Sequence, residues 1–294
     1  MRHPHRDVRD GRAAADPGGG GRPRALAHLK THTYRLVLEY EGTRYHGWQE
    51  QQNARTVAGE LRGALTRAGA CVLDLGGSGR TDAGVHALAQ VAHARLAQRV
   101  EPGPFRRALN EALPADVHVT ALSPAPASFH ARHDAVGRSY VYQISRRRTA
   151  FGKRFVWWIK RPLRLPPMRE AAALLPGRHD FALLTERPSE QASTVVVVER
   201  AEIGAFDDLL VLRVVASHFL WRLVRRLVGA LVHVGGGELS VPAFAGLLDG
   251  RLPAPGVNPA AWTAPPSGLF LEAVLYPDSP PLPPLQPAVA IRAE

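Results

Sequence analysis

Gly76-Gly-Ser-Gly-Arg-Thr-Asp-Ala-Gly-Val-His-Ala87 is the stretch around which the rest of the chain is best read. Gly76, Gly77 and Gly79 precede Asp82, and Gly84 follows it. Glycine tolerates positive φ and lets a second backbone come close, so this spacing predicts a sharply turned loop rather than a helix or strand. The turn presents one carboxylate between Arg80 and His86, two groups able to balance its charge or to hold an anion beside it. An aspartate among glycines also has a plain use as a turn former. The rest of the chain decides between these readings.

The loop fits none of the glycine-rich motifs that bind phosphates or carry a serine nucleophile. A dinucleotide fingerprint needs a third glycine where Asp82 stands. A P-loop ends in Gly-Lys-Ser/Thr, whereas Gly84 is followed by Val85 and His86. A nucleophile elbow around Ser78 would need glycine in place of Arg80, which removes a serine hydrolase from consideration. His130-Ala-Arg-His133 lacks the neighbouring ligands of a zinc site and reads as loop histidines. No motif in the chain calls for a metal or an organic cofactor.

Composition points to the partner. The 37 lysines and arginines outnumber the 26 acidic residues, a net charge of +11, and the pI is near 10.7. A surplus of this size favours a polyanion, with nucleic acid the default. Arginine supplies nearly all of it, the only lysines being Lys30, Lys153 and Lys160. The single cysteine, Cys71, excludes a disulfide framework and fits a reducing, cytoplasmic setting. No apolar run is long enough to span a bilayer, and the N-terminus has no apolar core of a secretory signal. Residues 1–31, rich in Arg, Gly, Pro and Ala, read as a disordered basic arm, and residues 278–294 as an unstructured Pro-rich tail.

Between these ends the pattern alternates strands and helices. Strands are expected at Tyr34–Tyr40, Cys71–Leu75, Gln90–Leu96, Val117–Leu122 and Ser139–Ser145, the last with Tyr140 and Tyr142 on one face. A helix of about a dozen residues follows the N-cap Thr56, and another runs from Phe105 to Leu113, before Pro114. The second half repeats the theme, with helices at Pro167–Leu175, Phe219–Val234 and Pro242–Leu248 and strands at Thr194–Ile203, Leu209–Val215 and Leu269–Tyr276. The order predicts an α/β (α+β) protein of two similar halves, 32–146 and 147–277, sharing a mostly antiparallel sheet. At about 100° per residue, helix 219–234 puts Phe219, Leu220, Leu223, Val224, Leu227, Val228 and Leu231 on a core arc. Arg222, Arg226 and His233 lie opposite, and Arg225 sits at the border, from which an arginine can reach inward while its stem packs on apolar surface.

These residues resemble the TruA family of tRNA pseudouridine synthases. Gly79-Arg-Thr-Asp-Ala-Gly-Val-His86 is similar to the family's signature loop, and Tyr40-Glu-Gly-Thr-Arg-Tyr-His-Gly-Trp-Gln49 to its opening strand and loop. Asn110-Glu-Ala-Leu-Pro114, Phe129-His-Ala-Arg132, Arg138-Ser-Tyr-Val-Tyr142, His179-Asp-Phe181, Phe219 through Gly229 and Gly268-Leu-Phe-Leu271 follow in family order and spacing. The likeness covers about residues 33–277. Val197 stands where the family usually has arginine, and the segment after His179-Asp-Phe181 lacks a polar residue and a second aromatic common there.

The resemblance implies the pseudouridine-synthase fold with a central cleft, and an isomerase that needs no cofactor. It implies that Asp82 is the nucleophile, attacking uridine at the ribose C1′ or forming another adduct. Arg225 matches the arginine that pairs with the aspartate. Tyr140 matches the tyrosine that stacks on the target base or helps remove its C5 proton. Arg80 matches the residue that fills the space of the flipped nucleotide or holds its phosphate. The substrate implied is tRNA, at positions 38–40 of the anticodon stem-loop, bound across a homodimer. The alternative of another class is a non-catalytic tRNA-binding or folding protein of the same fold, and the joint presence of Asp82, Tyr140 and Arg225 speaks against it.

Overall fold

Tyr34, Leu36, Leu38 and Tyr40 alternate with the less buried Arg35, Val37 and Glu39 along the first strand, and all four are buried. That period of two sets one face of the sheet against the helices. The computed structural model describes residues 31–185 and 193–291, which leaves the expected N-terminal arm, but for Thr31, outside the described residues. The elements are β1 (His32–Tyr40), α1 (Val57–Arg67), β2 (Val72–Gly77), β3 (His86–Leu96), α2 (Pro102–Ala112), β4 (Val117–Pro124), β5 (Gly137–Ser145), β6 (Trp157–Trp158), α3 (Leu165–Ala172), β7 (Gly177–Asp180), β8 (Val195–Phe206), β9 (Leu209–Ala216), α4 (Leu223–Gly236), α5 (Val241–Leu248) and β10 (Leu269–Leu275).

The strands form one sheet in the order β4-β1-β3-β10-β5-β9-β8-β7, with β2 paired to β3 and β6 to β5. Pairing is antiparallel except for β10 with β3 and β5 with β6, so the expected mixed α/β architecture with a mostly antiparallel sheet is what the chain adopts. The last strand, β10, lies between β3 and β5 and joins the strands of the early chain to those of the later chain. One continuous core links Leu61 of α1, Leu109 of α2, Met168 of α3, Leu227 of α4 and Phe244 of α5 to the sheet.

Local signals placed several elements well. Thr56 caps α1 by accepting from the Gly59 N–H, and Val57, Leu61, Ala64 and Leu65 form its buried stripe. Five expectations need correction. Gly76 and Gly77 belong to β2 rather than to the turn: their glycines make room for the rings of His93 and Trp48, which a Cβ would meet at 2.5 Å. β3 starts at His86, four residues before the alternating run at Gln90. α4 starts at Leu223 instead of Phe219, because Arg222 adopts φ 59° and breaks the helical path. Arg226, expected on the face opposite the core arc, is buried, since α4 is enclosed by α3, α5 and the turns Ala182–Leu184 and Pro259–Trp262.

The fifth correction concerns the tail. Residues 278–291 form no helix or strand, yet they lie along the face of the sheet away from the helices. There Arg213 of β9 is fully buried and uses all its N–H groups. Nε donates to Glu272 Oε2 (2.8 Å), Nη1 to Glu202 Oε1 (2.8 Å) and to the Pro283 carbonyl (2.9 Å), and Nη2 to Glu272 Oε1 (2.5 Å) and the Pro284 carbonyl (3.4 Å). Leu285 and Ile291 pack beside Val141, Val156, Leu209 and Val211, and the Val289 N–H donates to Gln143 at 3.1 Å. Proline-rich chain leaves its carbonyls without internal partners, and a buried arginine needs such acceptors.

Candidate active site

The segment between β2 and β3 carries Asp82, and neighbouring elements hold several polar groups of its backbone. The Ser78 N–H donates to the Val91 carbonyl at 2.8 Å. The Ser78 carbonyl accepts from Arg138 Nη2 at 2.8 Å, and the Gly79 carbonyl from Gln90 Nε2 at 3.0 Å. The Thr81 carbonyl accepts from the Trp48 N–H at 3.1 Å, and the Gly84 N–H donates to the Tyr45 carbonyl at 3.2 Å. Thr81 Oγ1 shares a 2.8 Å hydrogen bond with the Tyr40 hydroxyl. Buried backbone groups need such partners, and here they also fix where the Asp82 side chain points. Gly84, at φ +78°, supplies the turn that lets the chain enter β3.

Ser78 has no freedom to act as a nucleophile. It is 1% exposed and its hydroxyl donates to Gln90 Oε1 at 2.7 Å. His86 is likewise removed from Asp82. It is buried at the start of β3, stacked on Phe270 with ring centroids 4.8 Å apart. Its Nδ1 accepts from the Gly42 N–H at 2.9 Å and its Nε2 lies 2.8 Å from the Arg154 carbonyl, to which it donates. Burial lowers its pKa, so the ring is neutral. The expected flanking of Asp82 therefore fails on the His86 side: alternation along β3 turns His86 into the sheet's packing.

The cation beside Asp82 comes from the other end of the chain. Arg225 Nη1 lies 3.3 Å from Asp82 Oδ2, with the two side chains 13% and 25% exposed. Arg225 is braced twice by the segment before β10: its Nε donates to the Ala264 carbonyl at 2.7 Å, and its own carbonyl accepts from the Ala264 N–H at 3.0 Å. That segment is in turn tied to the sheet, because the Tyr142 hydroxyl donates to the Pro265 carbonyl at 2.8 Å. Tyr140, two residues earlier on the same face of β5, is buried and meets Phe219 edge-on at 4.9 Å between ring centroids. Burial first, then the nearby Tyr40 and Asp82, push its pKa well up, so the phenol is protonated at neutral pH. Tyr40 in the same region is raised to about 12 by burial.

Asp82, Arg225, Tyr140 and Phe219 line a cleft of about 710 Å³ between the Asp82 loop and the N-terminal end of α4. Arg80, Arg132, Arg138, Arg222 and Arg225 contribute to its walls, and Asp82 is the one carboxylate among its described lining residues. Arg80 is exposed. His130, whose ring lies tilted between those of His93 at 4.4 Å and His133 at 4.1 Å, forms part of the wall. A cleft with this charge concentrates polyanions.

The sequence reading passed over Arg138. It is 9% exposed and donates to the carbonyls of Ala135, Ser217, Ser78 and Arg132, which binds the Asp82 loop to β5 and to the loop before α4. The available signal was an arginine inside a strand whose nine residues are all buried, where a charge survives only with several acceptors.

Comparison with known proteins agrees with this arrangement. The sequence profile of the family described as tRNA pseudouridine synthase matches residues 36–134 and 171–277. The protein named tRNA pseudouridine synthase A in Beijerinckia indica subsp. indica is 41% identical over 248 residues, 83% of this chain and 94% of the relative. Its namesake in Thermoanaerobacter sp. strain X514 is 35% identical over 243 residues, 82% of this chain and 98% of the relative. That of Mesorhizobium japonicum is 39% identical over 249 residues, 83% and 99% of the two chains. The profile takes in the Asp82 loop as well as Arg225 and β10, and the relatives match nearly from end to end, so the chain belongs to the tRNA pseudouridine synthase family.

Proposed function

We propose that this enzyme converts uridine to pseudouridine in the anticodon stem-loop of tRNA, at positions 38–40, with Asp82 as nucleophile. The observation that carries the reading is the 3.3 Å pairing of Asp82 with Arg225 in the wall of a basic cleft, next to Tyr140. The reaction breaks the N1–C1′ bond of the nucleotide, turns the base and rejoins it through C5; the C5 proton is lost and N1 gains one. Asp82 attacks C1′ or C6, splitting one difficult step into two easier ones. Arg225 supplies the counter-charge and, held by Ala264, aims the carboxylate.

Tyr140, protonated and packed on Phe219, offers an aromatic edge and a hydroxyl to the uracil. Its raised pKa favours a role in positioning the base over that of a ready proton acceptor. Reaching a base inside a stem requires flipping the nucleotide out, which costs a few kcal/mol. Exposed Arg80 is suited to take the vacated space or to hold the displaced phosphate. The remaining positive wall adds backbone contacts that weaken with salt. We further propose, on family resemblance, that the protein acts as a cytoplasmic homodimer with tRNA spanning both subunits.

The test is tritium release from tRNA carrying C5-labelled uridine. Wild type should release tritium, and Asp82→Ala should lose at least about 10³-fold in turnover while binding tRNA within about three-fold. Wild-type inactivity on all tRNA would leave a non-catalytic tRNA-binding protein, and full activity of Asp82→Ala would remove the nucleophile.

A further inference from the structure

Phe151, Trp158 and Trp221 are the exposed large aromatic side chains among the described residues, and of these only Trp221 lines the cleft that holds Asp82. It is 46% exposed. The Arg222 guanidinium covers its ring at 4.2 Å from the centroid. A tryptophan left half in water beside a reacting group, with a cation against it, has the composition of a base-stacking platform in proteins that bind unpaired nucleic acid.

The backbone around it is built to hold that position. Arg222 sits at φ 59°, a left-handed conformation unfavourable for a residue with a Cβ, and such strain points to a local role. The Leu223 N–H donates to the Leu220 carbonyl at 3.1 Å, and Thr185 Oγ1 donates to the Trp221 carbonyl at 3.0 Å. The turn sends neighbouring rings in different directions. Phe219 goes inward to meet Tyr140 edge-on, while Trp221, two residues later, remains exposed at the wall of the cleft.

We propose that Trp221, backed by Arg222, stacks the nucleobase of a nucleotide flanking the target uridine. The inference rests on the reading of the cleft as a uridine site in RNA. Once the target base is flipped out, its chain neighbour has lost a stacking partner on one side, and an indole ring replaces it. Every base has a π face, so the platform holds the neighbour without selecting its identity.

The experiment uses tRNA with 2-aminopurine placed immediately 5′ or 3′ of the target uridine. Wild type should quench its fluorescence at one of the two positions. Trp221→Ala should lose the quenching and raise KM about ten-fold or more, with a much smaller change in kcat. Trp221→Phe and Trp221→Tyr should recover most of both. Absence of quenching at both positions with wild type overturns the platform, as does a Trp221→Ala enzyme with unchanged KM. A kcat loss and lowered Tm shared equally by Ala, Phe and Tyr variants also overturns it, in favour of a packing role. Failure of the isomerase reading is seen separately, as the absence of wild-type tritium release, and the fluorescence measurement still judges the platform in that case.

Discussion

At the scale of single residues, Arg225 shows how much a side chain's surroundings add to its charge. A lysine would keep the positive charge but forfeit the Nε bond to Ala264, since only the guanidinium fork can reach a carbonyl and a carboxylate together. Arg225→Lys is therefore expected to lower turnover about 10²-fold, the scale of a misplaced reacting group, with tRNA affinity within about three-fold of wild type. Arg225→Ala should lose more. Single-turnover rates and filter-binding affinities measured side by side check this, and a loss confined to affinity would make Arg225 a phosphate contact. The border position of this arginine on its helix was legible in the spacing, and its partner, 143 residues away, came only from the family resemblance; its brace at Ala264 had no signal in the sequence. His86 gives the opposite lesson. Its closeness to Asp82 in sequence counted for less than strand alternation, which turns it into a neutral, buried ring.

At the scale of elements, α4 carries the site, and its packing is closer than its amphipathic pattern indicates. A Cβ at Gly229 would lie 1.7 Å from the Trp262 carbonyl oxygen. In an ordinary helix interior, glycine to alanine stabilises by up to about 1 kcal/mol. Here the backbone of Trp262 must move, and overpacking of this kind costs about 1–3 kcal/mol. Gly229→Ala is thus expected to destabilise in urea unfolding. Because Ala264 follows two residues after Trp262, turnover should fall as well, through the brace on Arg225. A Gly229→Ala enzyme as stable as wild type would show that the turn Pro259–Trp262 yields freely. The ends of α1 were readable from Thr56 and its apolar stripe. The start of α4 was not, because no glycine or proline in the sequence marks the left-handed turn that Arg222 makes there.

At the scale of the whole molecule, the two faces of the sheet have different roles. One packs the helices and opens into the cleft, and the other is closed by the tail. Truncation before Pro283 would remove two acceptors from the buried Arg213 and uncover apolar surface under Leu285 and Ile291. The expected loss is about 2–4 kcal/mol, a fall in Tm of roughly 5–15 °C, measured by calorimetry. Turnover at a temperature where the truncated enzyme is folded should match wild type, since the tail lies away from Asp82. An unchanged Tm would show that water replaces the tail's carbonyls at no cost.

By itself the sequence determined the local periods, the caps, the sign of the charge and the motif loop, because each depends on residues within a few positions of one another. It also carried the family, because the segments that resemble it are spread in order along the chain. The tertiary structure alone decided how Ala264 braces Arg225 beside Asp82, that Arg138 ties the loop to β5, that Arg226 is buried, and that a Pro-rich tail closes the back of the sheet. The physical reason is common to all four. A charged or polar group taken out of water must find partners wherever the fold brings them, and those partners are set by strand order and packing rather than by neighbours in the chain.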